Sequence, residues 1–296
     1  MKRVLRWIGL MLAGMVALVL LALGSFTVIA RHREARRWNV TPAALVIPTD
    51  SASIARGEHL AIAITKCTDC HGADMAGRTF LDGMPFGRFA SANVTPNGVV
   101  RNWSDADWVR AVRNGVAPDG RGLVFMPSEV FSTLSAEDLG AILAWVKQLR
   151  PVSRASTTSV IGPIGKMLWS TGQVEFQAAR VIDQGAPFAP APPAGPTAEY
   201  GKYLSVVGGC TSCHGANLAG GIKQGPPGTP PSANLTPAGL KGWAQADFVR
   251  ALREGRKKDG SGINPFMPWL FTREMTDVEI EAVWNYLQTI PGVTTS

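Results

Sequence analysis

Cys67-Thr68-Asp69-Cys70-His71 and Cys210-Thr211-Ser212-Cys213-His214 are the two runs that decide how this chain is read. Both spell CxxCH, the attachment signature of c-type haem. Two thiols with two residues between them can each form a thioether with one haem vinyl group. The histidine that follows then brings an imidazole nitrogen to the iron. All four cysteines of the chain lie in these runs. A four-cysteine zinc site places its second pair roughly 15–20 residues after the first, whereas these pairs begin 143 residues apart. A redox CxxC needs a strand–helix–strand context, and no strand-rich pattern flanks either pair. The runs therefore predict two covalently bound haems c, attached through Cys67, Cys70, Cys210 and Cys213, with His71 and His214 on iron.

An internal repeat surrounds the motifs. "GEHL" at 57–60 recurs as "GKYL" at 201–204, "SANVTP" at 91–96 as "SANLTP" at 232–237, and "DWVRAVRNG" at 107–115 as "DFVRALREG" at 247–255. "FMP" recurs at 125–127 and 266–268, so every offset falls between 140 and 144. Each copy reads as short helices between Gly/Pro-rich loops: one near 54–65 or 198–207 leading into the haem motif, one after Trp103 or Trp243, and one after Ser135 or Thr276. Thr276 with Glu279 makes the clearest capping box; Ser104 with Asp107 resembles one, and Ala244 weakens the second-copy equivalent. Gly57 and Gly201 are small enough to admit a second helix, with Trp145 and Tyr286 as the aligned aromatics, best read as core packing. Residues 151–196 have no counterpart in the repeat and end in "APFAPAPPAGP". That stretch is expected as a stiff Pro-rich linker, with an amphipathic helical piece near 166–181. The fold class is expected to be all-α, divided as 1–37 membrane anchor, 38–150 first module, 151–196 linker and 197–296 second module.

The second axial ligand determines whether an iron is closed for electron transfer or open to exogenous ligands. Among the nine methionines, Met75, Met84 and Met126 follow His71, and Met267 and Met275 follow His214. Only Met126 and Met267 match across the repeat, each between Phe and Pro, 55 and 53 residues after the haem histidine. They are the expected ligands, with Met84 as the rival in the first module and unmatched methionines as core filler. Bis-His ligation has only His32, at the edge of the apolar run, and His59, aligned with Tyr203 and expected on a helix surface. An axial imidazole donates its other N–H to a backbone carbonyl, expected here from the loops at Pro85 and Pro226. Asn93, Asn234, Trp103 and Trp243 are candidate propionate donors, against the plainer reading of turn and core structure.

The order GxxL, CxxCHG, "SANLTP", "W…DFVRALREG", "FMPW" resembles the class I cytochrome c domain. In tandem it is similar to membrane-bound bacterial dihaem cytochromes c, and to the cytochrome subunits of periplasmic alcohol, gluconate and aldehyde dehydrogenases. The resemblance covers 51–150 and 197–296; those subunits typically carry three haems, where this chain has motifs for two. It implies an electron carrier rather than an enzyme, with redox proteins as donor and acceptor, free or in a stable membrane complex. The competing reading is a dihaem cytochrome c peroxidase or a thiosulfate-oxidising dihaem enzyme, which needs at least one atypically ligated iron; the twin methionines argue against it.

Trp7 to Ala30 is an uncharged, mostly apolar run of 24 residues, long enough to span a bilayer at about 20 residues per crossing. It exceeds the roughly 7–15-residue core of a signal peptide, so an uncleaved anchor is expected. Three basic side chains precede it and four follow, which leaves the positive-inside rule undecided. The family resemblance resolves the orientation, because bacterial thioether attachment takes place outside the cytoplasmic membrane. The N-terminus is expected in the cytoplasm and the haem modules in the periplasm, on the inner membrane. Residues 1–37 carry +6 of the net +7. The nearly neutral remainder gives no support to nucleic-acid binding, and the basic flank suits lipid headgroups.

Overall fold

The computed structural model describes residues 1–225 and 228–294. Helix α1 (Lys2–Ala35) precedes two copies of one five-helix pattern. The first copy contains α2 (Ser51–His59, extended by a π-helical turn over Leu60–Ile64), α3 (Cys67–His71), α4 (Asp105–Asn114), α5 (Ser128–Phe131) and α6 (Ala136–Val146). After α7 (Pro163–Ser170), the second repeats them as α8 (Ala198–Val207), α9 (Cys210–His214), α10 (Gln245–Glu254), α11 (Trp269–Thr272) and α12 (Asp277–Thr289).

Local sequence explains where these helices begin. The capping boxes of Ser104–Asp107 and Thr276–Glu279 both form. At α10 only the reciprocal arm survives, with the Ala244 N–H donating to Asp247 Oδ2 at 3.0 Å. The two glycines permit the central crossings: a Cβ on Gly57 would lie 1.9 Å from the Ala141 carbonyl oxygen, and one on Gly201 1.9 Å from that of Ala282. Thus α2 packs directly on α6 and α8 on α12, backbone against backbone. Trp145 and Tyr286 are partly buried against the same core.

A single apolar core runs through both copies, joining Leu60, Ile64 and Leu139 to Tyr200, Leu204 and Ile280. Across it, equivalent residues trade partners. His59 Nε2 lies 2.9 Å from the Glu279 carboxylate, and Tyr203, its aligned counterpart, donates to Asp138 Oδ2 at 2.7 Å. Asp138 and Glu279 occupy the same position in the first turns of α6 and α12. His59 is therefore not a surface residue but half of a pseudo-symmetric contact between modules, and its hydrogen bond to Glu279 raises its pKa.

The all-α expectation needs correction. Strands β1 (Thr79–Gly83), β2 (Gly87–Ala90) and β3 (Val160–Ile161) form a small antiparallel sheet in that order. The 151–196 stretch also differs from the expected spacer: it supplies β3 and α7 and packs along the first module. Aromatic side chains hold it there, with Ile161, Trp169 and Phe176 buried together with Phe89 and flanked by Phe80 and Phe86. Further on, buried Arg113 donates to the carbonyls of Ala186 and Pro187 at 2.7 and 2.9 Å and lies 4.3 Å from the Phe188 ring centroid. The helical piece is Pro163–Ser170 with a 3-10 turn at Ala178–Arg180, shorter than and displaced from the expected 166–181.

The end of α1 docks on this second core. Ala30 is buried in it, the Arg33 guanidinium donates to the Trp169 carbonyl, and Ser170 Oγ donates to the Phe26 carbonyl at 3.1 Å. From Val4 to Leu23 the apolar side chains of α1 are exposed. The helix is long and apolar enough to cross a membrane and is a candidate anchor.

Candidate haem sites

Each motif sits on one helical turn entered through left-handed backbone, at Lys66 (φ 53°) in the first copy and Gly209 (φ 70°) in the second. The chain then folds back over the histidine in the same way twice. The Gly77 N–H donates to the His71 carbonyl at 2.9 Å and that of Gly220 to His214 at 2.8 Å. The Val94 N–H bonds to Met75 O at 3.0 Å and that of Leu235 to Leu218 O at 2.9 Å. These clamps bring the "SAN" loops against the imidazoles. His71 Nδ1 donates to the Ala92 carbonyl at 2.9 Å, and His214 Nδ1 to the Ala233 carbonyl at 2.7 Å. A carbonyl can only accept, so Nδ1 carries the proton and Nε2 keeps the lone pair a metal needs. Burial pushes both imidazoles below the ordinary histidine value, which keeps them neutral and ligand-competent.

Burial acts on the thiols in the opposite sense. It raises all four, Cys70 to about 11. A redox dithiol depends on stabilised thiolate, and these surroundings disfavour it. In the second module Cys210, Cys213, His214, Leu235, Trp243 and Met267 line one mostly apolar cavity of about 650 Å³. This combination fits a covalently attached haem: paired thiols, an oriented imidazole and a thioether around an apolar slot.

The axial candidates separate by environment. Met126 and Met267 are half-buried, each on the tight turn that opens the next helix; the Ser128 N–H bonds to Met126 O at 2.8 Å and that of Trp269 to Met267 O at 2.7 Å. Those loops hang from Gly115 and Gly255, the left-handed ends of α4 and α10, where the Leu123 and Ile263 N–H groups return at 2.8 and 2.6 Å. Met84 lies in the β1–β2 turn and is 58 % exposed. Met75 and Met275 are buried in the core, at the positions of Leu218 and Leu134.

One supporting role differs from expectation, and a second follows the plainer of its two readings. The imidazole acceptors are Ala92 and Ala233, not the Pro85 loop; Pro226 lies outside the described residues. Asn93 and Asn234 are structural: Asn93 Nδ2 donates to Val152 O at 2.8 Å and Asn234 Nδ2 to Val293 O at 2.6 Å, while both Oδ1 atoms accept from the threonine two residues on. Sequence reasoning passed over Lys66, whose ammonium donates to the carbonyls of Ile64 and Gly208 at 2.7 and 2.6 Å. Its position opposite Gly209 in the repeat was the available signal.

The comparisons with known proteins agree with this architecture. Residues 198–291 match the family model for Cytochrome c, and residues 52–146 match that for Cytochrome C oxidase, cbb3-type, subunit III. The chain carries two cytochrome c domains in tandem, and such domains imply covalent haem c, iron and electron transfer. It is similar to the cytochrome c subunit of alcohol dehydrogenase (quinone) from Gluconacetobacter polyoxogenes, at 28% identity over 82% of this chain and 57% of the relative. The corresponding alcohol dehydrogenase (quinone) subunit of Gluconobacter oxydans is 27% identical over 82% of this chain and 56% of its own length. The gluconate 2-dehydrogenase cytochrome c subunit of Pantoea cypripedii is 27% identical over 81% and 60% respectively. The chain thus spans little more than half of the dehydrogenase cytochrome subunits it matches.

Proposed function

We propose that this protein is a membrane-anchored carrier of two haems c that relays single electrons on the periplasmic face of the inner membrane. Its donor would be a quinol-oxidising complex or a periplasmic dehydrogenase, and its acceptor an oxidase or a smaller redox carrier. The likeness to dehydrogenase cytochrome subunits supports a place in such a complex. The observation that carries the reading is the doubled constellation of CxxCH, carbonyl-fixed imidazole and half-buried Phe-Met-Pro turn. Cys67 and Cys70 would hold one haem and Cys210 and Cys213 the other. His71 with Met126, and His214 with Met267, would fill the axial positions. Bound haem supplies a one-electron iron couple; the protein's part is to fix the imidazoles through Ala92 and Ala233 and to exclude water. The exposed apolar stretch of α1, docked by its last turns, supports the anchor.

The test is the intact mass of the denatured protein from native membranes. Two covalent haem additions are expected, with Cys67→Ala disturbing the attachment in the first module only and Cys210→Ala that in the second only. Wild-type protein with one haem or none would contradict the reading, and release from membranes by high salt would contradict the anchor, since apolar burial is not screened by ions.

A further inference from the structure

Lys66 is the feature that the repeat alone does not explain. It holds φ 53°, a region that non-glycine residues seldom adopt, at a position where the second module has Gly209 at φ 70°. Glycine would meet the backbone requirement without strain, so the side chain needs a reason. That reason is visible in its contacts. The ammonium donates at 2.7 Å to Ile64 O, at the end of the π-helical extension of α2, and at 2.6 Å to Gly208 O, at the end of α8. Both distances lie at the short, charge-assisted end of the N–H···O range. The C-terminal ends of both lead-in helices therefore converge on one cation, which their dipoles favour.

Its location is equally specific. Lys66 adjoins Cys67 in sequence and lines the second-module cavity together with Ala63, Ile64, Cys210 and Cys213. Burial lowers its pKa, and the cysteines of both motifs are close enough to act on it electrostatically. At the aligned position the second module has Gly209 and no side chain; its own cavity-lining cation, Lys257, lies on an exposed loop. Lys66 is thus a charge beside the two haem-attachment motifs that has no counterpart at the aligned position.

We infer that Lys66 is a positioning residue that ties the two lead-in helices end to end and sets a shared positive charge against both haem sites, holding both reduction potentials up. This rests on the two-haem reading above. A fixed cation disfavours the additional charge of ferric iron, and at partial burial its reach extends beyond one module.

The test is a spectroelectrochemical titration of the full-length protein carrying Lys66→Gly, Lys66→Met or Lys66→Arg, with covalent haem counted on the same samples. Lys66→Gly suits the backbone and copies the second module, so it is the variant least exposed to misfolding. In both uncharged variants each iron is expected to shift toward ferric on the order of tenfold, about 59 mV for one electron. Lys66→Arg, which keeps the charge, is expected to stay within about threefold of wild type. Two haems present with both potentials unmoved, or a shift confined to one haem, would overturn the shared role. Fewer than two covalent haems in the wild type would instead overturn the functional reading on which it stands.

Discussion

The two modules share the haem-attachment turn, the imidazole–carbonyl bond, the glycine helix crossing and the Phe-Met-Pro turn, but they differ in what covers them. In the first module the Phe125 N–H donates to Phe176 O at 2.7 Å, so the methionine turn is bound to the 151–196 stretch. In the second, the equivalent Phe266 N–H is satisfied within its own turn by Asn264 Oδ1 at 2.9 Å, and Phe266 and Leu270 stay 46 % and 57 % exposed. The first module also carries the sheet and aromatic cluster that receive the end of α1. What the modules have in common is what a haem requires; what distinguishes them is attachment. On the proposed function, the first module is the fixed end of the relay and the second presents the open face.

The largest effect that could break this comparison lies in the aromatic cluster. Trp169 is fully buried, and its indole N–H donates to Glu175 Oε1 at 2.7 Å. Trp169→Ala should cost about 3–5 kcal/mol, felt in the first module and in α1 docking. Limited proteolysis should then cut within 151–196 while the second haem's potential holds; equal disturbance of both modules would show that the division of labour is wrong.

The glycine crossings should behave alike, because the clashing atom is the same in both. Gly57→Ala and Gly201→Ala should each destabilise by about 3 kcal/mol, the upper range for forced overpacking, read as thermal unfolding by circular dichroism. A benign Gly201→Ala would contradict the backbone-to-backbone packing of α8 on α12.

The interface pair gives a smaller effect with a defined sign. Glu279 raises the His59 pKa, so the contact stabilises fully below the ordinary histidine value and weakens as pH climbs through the raised one. The thermal midpoint should decline between about pH 6 and pH 9 more steeply in wild type than in His59→Gln. Burial holds the Tyr203 hydroxyl in the opposite contact above its ordinary value, so identical slopes would remove His59 from the interface. The smallest effect concerns the caps. Ser104→Ala should lose about 1 kcal/mol and Ala244→Ser should gain about as much, since the two helices differ there only by the missing hydroxyl.

Much of this was legible in the sequence because it is local and occurs twice. The cysteine spacing, the capping residues, the two glycines and the matched Phe-Met-Pro runs each announce themselves within a few positions. The sheet did not, because β1 and β2 are short and pack against Trp169 and Phe176, which lie between 79 and 97 residues further along. A Pro-rich stretch pinned by isolated aromatics has no periodicity to detect. The imidazole acceptors escaped for a related reason: the "SAN" repeat was visible, but which carbonyl faces the ring depends on the fold-back of Gly77 and Gly220. The contacts between modules were half legible, since His59 aligns with Tyr203 and Asp138 with Glu279, yet alignment alone says nothing of who faces whom.

The central claim, two closed relay haems rather than one open to substrate, is tested most directly by the optical spectrum of the purified full-length protein. Two low-spin irons with methionine-to-ferric charge-transfer absorption are expected, half of it lost in Met126→His and half in Met267→His, each lowering only its own haem's potential. A high-spin component in the wild type, or methionine absorption that survives in Met126→His Met267→His together, would contradict the account.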